Sequence, residues 1–203
     1  MTEKKARRPR LFLRGRKTRK MIANTAAELF LELGYFKTTL VIICERANVG
    51  YRTIYAHFKN KDHILTSITD SIFAPFYDIL DEPFEPETKE QARDLFFDLA
   101  STLIDITKDK QQLLKIYRTE ASQSDLVGEH YNSVMDELHQ YLVSALTHSH
   151  KQGWLRECDL DAGAKLLCLM LEGLFWESVN SKNKQSKLLA DTAADTFMHG
   201  FYI

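Results

Sequence analysis

A seven-residue segment, residues 51–57, carries a dense set of hydrogen-bond donors around one apolar residue, Ile54. The donors are Tyr51, Arg52, Thr53, Tyr55 and His57. A segment this short and polar cannot build a core, but such side chains can reach phosphates and base edges in a DNA groove. Arg52 could bond guanine O6 and N7 together, a contact worth about 1–3 kcal/mol of discrimination between bases. We predict that Arg52 and Tyr51 read bases.

The residues just before this segment supply a second helix and a tight turn. We predict helix 2 over residues 40–47, with Thr39 as its N-cap, and helix 3 over residues 51–57. Between them stand Asn48 and Gly50, which tolerate the left-handed backbone of a sharp turn. The pattern is typical of a helix-turn-helix whose second helix enters a DNA groove.

Helices on both sides would support this motif. Helix 1 is predicted over residues 16–33 because its apolar residues fall on one face, and Gly34 should end it. Asn60 should cap helix 4, which begins near Lys61. Pro75 lies inside helix 4, so we expect a kink or an early end there.

The charge is divided unevenly along the chain. Residues 1–65 hold 15 Lys or Arg against 5 Asp or Glu, whereas residues 66–203 hold 12 against 23. A basic first third indicates contact with a polyanion. We predict that residues 1–15 form a flexible basic arm, whose Arg10 and Arg14 could enter a minor groove. A merely solvated basic tail is the alternative.

The remaining sequence is helical throughout, after an acidic, proline-containing linker at residues 81–87. We predict five further helices, near residues 88–107, 109–121, 126–151, 160–180 and 185–201. The last two are apolar on more than one side, which indicates a helical dimer interface, although a deeply buried core helix would look the same. The predicted interface residues are Leu167, Met170, Leu171, Leu174, Leu189, Ala193 and Phe197.

Compartment and class follow from what the sequence contains. No apolar run approaches the ~20 residues of a membrane span. The basic start has no apolar segment typical of a secretion signal. The three cysteines lack paired spacing, which favours reduced thiols in a cytoplasmic protein. The protein is therefore predicted to be cytoplasmic. From the helical patterns above, we predict an all-α fold with about nine helices.

Residues 19–65 resemble the amino-terminal signature of the TetR family of bacterial transcriptional regulators. The matching residues are Arg19, Ile22, Ala26, Leu29, Phe30, Gly34, Tyr35, Thr38, Thr39, Ile43, Ala47, Val49, Thr53, Ile54, Tyr55, His57, Phe58, Lys61 and Asp62. The chain departs from the signature at Asn48 and Gly50, which still suit a turn, and at Cys44, where a small Ala is usual. Arg52 stands in place of a common Gly and adds a cation, so the operator sequence stays open.

The resemblance implies an N-terminal helix-turn-helix domain, residues 16–65, and a larger effector-binding and dimerisation domain, residues 66–203. It implies phosphate contacts from Thr39, Thr53, Tyr55, His57 and Lys61. It also implies a homodimer on a palindromic operator, and a small-molecule effector that shifts helix 4 and releases the DNA. Repression is the expected sense, with activation as the alternative.

The effector would lie in a chamber formed by helices 4 to 8, and its walls should be rich in aromatic side chains. The predicted wall residues are Phe73, Tyr77, Phe96, Tyr117, Tyr131, Met135 and Trp176, with Phe76, Phe97, Leu138 and Met170 as further candidates. The abundance of rings favours an apolar or aromatic effector. Any one of these rings could equally be simple core.

Two other classes deserve comparison. A zinc sensor could use His148, His150 and Cys158, with His139 or His130 as a further ligand. However, His139, His148 and His150 do not have the i, i+4 spacing that would place them on one helix face. An enzyme is disfavoured because no nucleophile elbow, phosphate loop or HExxH motif occurs. We therefore expect no catalytic residue, no metal and no cofactor.

Overall fold

A computed structural model describes residues 13–181 and 186–203. Within these ranges the chain forms nine α-helices and no strand, apart from an isolated bridge between Leu155 and Tyr202, so the all-α prediction is confirmed. The helices are α1 (Leu13–Glu32), α2 (Leu40–Ala47), α3 (Tyr51–His57), α4 (Lys61–Asp81), α5 (Lys89–Asp105), α6 (Gln111–Ala121), α7 (Asp125–Lys151), α8 (Leu160–Asn180) and α9 (Ser186–Phe201). No helix in the described ranges is long and apolar enough to cross a membrane.

The chain divides into two compact units, Met1–Ile68 and Thr69–Ile203, with the division inside α4. In the first unit, α1 packs against both α2 and α3. Its core consists of fully buried aliphatic and aromatic side chains, contributed by all four helices of the unit: Ile22, Ala26, Leu29, Phe30, Ile43, Ile54, Ile64 and Leu65. The short α3 therefore depends on one apolar anchor, Ile54, and offers its other side chains to the surface.

Local signals fix the bounds of these helices as the sequence predicts. Gly34 ends α1 with φ at +85°, a conformation that glycine adopts without a steric penalty. The Thr39 hydroxyl accepts a hydrogen bond from the Ile42 amide at 3.3 Å and caps α2. Asn48 takes the left-handed conformation, φ 51° and ψ 48°, between α2 and α3. The Asn60 side chain accepts a bond from the His63 amide at 2.9 Å at the start of α4.

The second unit contains two extensive helix pairs, α5 with α9 and α7 with α8. The α5–α9 pair is joined by parallel stacking of Phe96 on Phe197, whose ring centroids lie 4.2 Å apart. On the surface of the same pair, Arg93 binds both Asp191 and Asp195, at 3.1 and 2.8 Å. Helices α6 and α7 also approach each other closely where they meet. A Cβ added at Gly128 would lie 2.9 Å from the backbone carbonyl oxygen of Ala121.

The start of α1 differs from the prediction. α1 begins at Leu13 rather than at residue 16, so Gly15 is helical. A single glycine costs a helix about 0.5–1 kcal/mol, which a long helix can absorb. Of the kink or early end expected at Pro75, the early end does not occur, because α4 continues to Asp81. Proline removes one backbone hydrogen bond, and the buried rings of Phe73 and Phe76 on either side hold the helix in place.

Candidate DNA interface and effector cavity

The outer face of α3 presents the side chains predicted to read DNA. Tyr51 is 49% exposed and Tyr55 56% exposed, and Arg52 is also exposed. Thr53 and His57 are half-buried. Because Ile54 is fully buried, the helix is held in one rotation about its axis, and the three exposed side chains point away from the core. This arrangement can supply donors to both phosphates and bases.

Two cations beside α3 also hold the first unit together. The Arg19 guanidinium donates a hydrogen bond to the His57 carbonyl at 2.7 Å and lies 4.2 Å from the centre of the Phe58 ring. The Lys61 ammonium donates to the Tyr35 carbonyl at 3.0 Å and lies 4.2 Å from the Tyr35 ring centre. Since an ammonium has three donors, Lys61 is positioned by these contacts and keeps donor capacity for a phosphate.

The predicted set of basic residues omits some exposed cations of α1. Two of its members also lie wholly or partly outside the described residues. Arg10 lies outside them, as does the side chain of Arg14, although residue 14 is helical. The sequence prediction missed the exposed cations Arg16, Lys17 and Lys20 on the first half of α1. The basic density of the first twenty residues was visible, but the prediction assigned it to the arm rather than to a helix face.

The second unit encloses a cavity of about 40 Å³ between α4, α5, α6, α7 and α8. Its lining residues are Phe73, Phe76, Leu103, Tyr117, Tyr131, Val134, Met135, Leu138, Leu171, Glu172, Phe175 and Trp176. Five of the seven predicted wall residues are among them. The other two are not: Phe96 stacks on Phe197, and Tyr77 packs against the rings of Phe73 and Phe76.

One polar cluster lies on the cavity wall between α7 and α8. The Tyr131 hydroxyl donates to the Glu172 carboxylate and accepts a hydrogen bond from Trp176 Nε1 at 3.3 Å. Burial, and then the hydrogen bond to Glu172, raise the pKa of Tyr131 to about 12. Tyr131 is therefore a neutral donor at physiological pH. On α6, the Arg118 guanidinium lies 4.6 Å from the centre of the Trp176 ring.

A second polar chain runs from the cavity to α4. The hydroxyl of the fully buried Tyr117 is 2.7 Å from His130 Nδ1, and His130 Nε2 is 3.0 Å from a carboxylate oxygen of Asp70. Burial raises the pKa of Tyr117, so its hydroxyl keeps its proton. Because a neutral tyrosine can donate to Nδ1, the imidazole can donate from Nε2 to Asp70. Three helices, α4, α6 and α7, are thereby connected through one histidine.

The interface residues predicted on α8 and α9 lie mainly inside the chain's own core. Leu167, Leu171, Ala193 and Phe197 are buried, while Met170, Leu174 and Leu189 are half-buried. The apolar side chains that these helices expose are different: Leu166 at 64%, Leu169 at 57% and Leu188 at 60%. The apolar pattern continues around α8, and the sequence could not show which side faces the neighbouring α7.

Zinc ligation was the alternative role for the histidines. His148 Nε2 instead lies 3.1 Å from the Pro86 carbonyl oxygen, and His130 is bonded to Tyr117 and Asp70. Within residues 13–181 and 186–203, no three His, Cys, Asp or Glu side chains come together in a way that could hold a metal ion.

Comparison with known proteins identifies the first unit. The family profile of bacterial regulatory proteins of the tetR family matches residues 22–68, which contain the α2–α3 motif. The chain belongs to the TetR family of regulators. It is 25% identical over 163 residues to the HTH-type transcriptional regulator YhgD of Bacillus subtilis, covering 78% of this chain and 83% of YhgD.

Two further relatives extend the likeness beyond the DNA-binding helices. The fatty acid metabolism regulator protein of Bacillus subtilis is 26% identical over 137 residues, covering 67% of this chain and 70% of that protein. The complex of SmeT, from Stenotrophomonas maltophilia, with triclosan has the same fold, with a TM-score of 0.72 at 22% identity and coverage of 92% of both chains. This TetR-family chain is thus a transcriptional regulator whose helical fold matches that of the triclosan-bound SmeT.

Proposed function

We propose that this TetR-family regulator is a repressor that binds a palindromic operator as a homodimer and is released by a small organic effector. The observation that carries the proposal is the α3 surface, where Tyr51, Arg52 and Tyr55 are exposed around a buried Ile54. Such a helix reads only a few base pairs, so two copies about one helical turn, ~34 Å, apart are needed for specificity. The protein would act in the cytoplasm, where the operator lies.

The two copies are proposed to associate through the exposed faces of α8 and α9. Leu166, Leu169 and Leu188 supply the apolar contact. Gly173 follows on α8 and is exposed, with no heavy atom within 4 Å of the position where its Cβ would lie, so a partner helix can approach the backbone there. Of the interface set that the sequence predicted, the half-buried Met170, Leu174 and Leu189 stay candidates, whereas its other four members are buried in the single chain.

The cavity is proposed as the effector site, with α4 as the element that responds. Its volume of about 40 Å³ is close to that of a single water-sized space and far below the roughly 300–1,000 Å³ of pockets for drug-sized ligands. An effector must therefore push its walls apart. Two wall residues, Phe73 and Phe76, lie on α4, so expansion of the cavity displaces that helix.

The chain of Asp70, His130 and Tyr117 gives this displacement a specific contact to break. A ligand that takes the Tyr117 hydroxyl as its own partner removes one of the two hydrogen bonds that hold His130, and His130 holds Asp70 on α4. By linkage, a ligand that favours the displaced α4 weakens DNA binding by the factor by which DNA weakens ligand binding.

Operator binding is tested by footprinting the DNA upstream of the protein's own gene. We expect a protected site with two-fold symmetry, two half-sites and a strong decrease of affinity with salt. Arg52→Ala serves as the matched variant. Because the Arg52 side chain is exposed and outside the core, this variant should keep the fold. Equal affinity for the upstream fragment and for random duplex would refute the proposal of a specific repressor.

A further inference from the structure

The effector cavity has one charged residue in an otherwise uncharged wall. Of its twelve lining residues, only Glu172 carries a formal charge, and most of the others are aromatic or aliphatic. Among the described residues, Glu172 accepts one hydrogen bond, from Tyr131, and makes no ion pair. A carboxylate beside an apolar space loses hydration, and a single hydrogen bond replaces only part of what is lost. A positive charge in the cavity would compensate the carboxylate for this lost hydration.

The rings around Glu172 suit the same kind of charge. The cavity is lined by the faces or edges of Phe73, Tyr117, Tyr131, Phe175 and Trp176. Aromatic faces attract cations, by about 0.5–2 kcal/mol each according to their exposure to water, and tryptophan is the strongest of them. The Trp176 ring already makes one cation–π contact outside the cavity lining, with the Arg118 guanidinium 4.6 Å from its centre.

Resting on the proposed effector function, we propose that this cavity binds an organic cation: a quaternary or protonated amine on an aromatic or branched alkyl body. Its positive centre lies against the Glu172 carboxylate, and its apolar body replaces contacts among the surrounding rings. A ligand carrying a carboxylate is excluded, because it would place a second negative charge beside Glu172 in a poorly hydrated space. Arg118 is the cation nearest to this cluster, but it is exposed and is not part of the cavity lining.

The cavity can widen on the side where the cation would enter. Met135, Tyr131 and Glu172 are half-buried, whereas the lining residues Tyr117, Phe76 and Leu171 are almost entirely buried. Met135 is unbranched, so it can change rotamer at small cost. We therefore place the entrance between α7 and α8, where these three half-buried residues lie.

Isothermal titration calorimetry of the full-length protein tests the charge requirement with ligands of matched shape. The probes are phenyltrimethylammonium, its neutral isostere tert-butylbenzene and the anion phenylacetate, with benzyltriethylammonium as a larger cation. We expect one or both cations to bind at least about tenfold more tightly than tert-butylbenzene, the size of one good charge or cation–π contact. Phenylacetate should not bind measurably.

The matched variants are Glu172→Gln and Glu177→Gln. Glutamine at 172 keeps an oxygen for the Tyr131 hydroxyl but loses the charge, whereas Glu177 lies on the same helix, is exposed and is outside the cavity. Glu172→Gln should reduce cation affinity about tenfold or more and leave tert-butylbenzene unchanged, while Glu177→Gln should behave as the wild-type protein. Thermal unfolding of each variant verifies that the fold is retained.

The outcomes separate this proposal from the wider function. Failure of both cations to bind the wild-type protein, equal binding of the cation and its neutral isostere, or an unchanged cation affinity in Glu172→Gln would each overturn the cation site. Operator affinity is measured in parallel, with and without saturating cation. Charge-dependent binding that leaves operator affinity unchanged supports the cation site and contradicts its role as an effector site.

Discussion

Substitution of Leu166 by aspartate should separate the proposed dimer without unfolding the protomer. Leu166 is 64% exposed in the single chain, so the protomer core loses little when it is replaced. Full burial of a leucine side chain is worth about 1.5–3 kcal/mol, and the exposed part therefore about 1–2 kcal/mol if a partner covers it. Two-fold symmetry counts each substitution twice, which gives about 2–4 kcal/mol, or roughly a 30- to 1,000-fold weaker dimer.

Sedimentation velocity over a range of protein concentrations measures this effect directly. The matched control is Leu31→Asp, because Leu31 is 53% exposed and lies on α1, in the other compact unit of the chain. Leu31→Asp should self-associate as the wild-type protein does, and both variants should keep the wild-type melting temperature of the protomer. A Leu166→Asp protein that self-associates like the wild type would refute the assignment of this face.

DNA binding should follow the change in assembly. A dimer contacts the phosphates of two half-sites, so its salt dependence reports both sets of contacts. At concentrations where Leu166→Asp is monomeric, the slope of log affinity against log salt should fall to about half, with protection of a single half-site. An undiminished slope together with a monomeric sedimentation coefficient would show that association occurs on the DNA through other residues.

Three further perturbations follow from the described contacts. Arg52→Ala should relax base preference at one position by about 1–3 kcal/mol, whereas Lys61→Ala should weaken all duplexes alike, as competition binding with single-base operator variants would show; loss of equal size on cognate and random DNA would contradict the role of Arg52. Gly128→Ala places a methyl group 2.9 Å from a backbone carbonyl oxygen, so it should lower stability by about 1–3 kcal/mol in urea unfolding, and an unchanged midpoint would be inconsistent with this close approach. Tyr117→Phe removes the hydroxyl bonded to His130, so it should preserve operator binding but reduce the effect of ligand on that binding. A full ligand response would exclude transmission through the hydrogen bonds of Tyr117, His130 and Asp70.

The helix-turn-helix was predictable nearly to the residue because short-range chemistry sets its bounds. Thr39, Asn48 and Asn60 each satisfy backbone groups within three or four positions of themselves, or adopt a backbone conformation that few other residues accept. Such signals do not depend on how the rest of the chain folds. The start of α1 was less predictable, because a single glycine at residue 15 lowers helix propensity without deciding the outcome.

The cavity was predictable in character but not in its polar member. The resemblance implied a chamber, and the abundance of aromatic residues favoured an apolar one, yet Tyr77 and Phe96 fill core positions instead. Glu172 was not predicted as a wall residue, because a single acidic residue in an apolar helix is usually expected to face solvent. Only the rotation of α8 against α7 shows that its carboxylate meets Tyr131.

Helix α8 carries residues of both the proposed ligand site and the proposed dimer interface, the two features that the sequence left open. Its Glu172 and Trp176 line the cavity, while Leu166 and Leu169 lie on its exposed face. A helix transmits an axial rotation along its whole length, because its backbone hydrogen bonds hold successive turns together. A ligand bound as proposed would move Glu172 and thereby reorient the face proposed to meet the second copy, and it would displace α4 through Phe73 and Phe76. In the proposed dimer, either route would change the spacing of the two recognition helices.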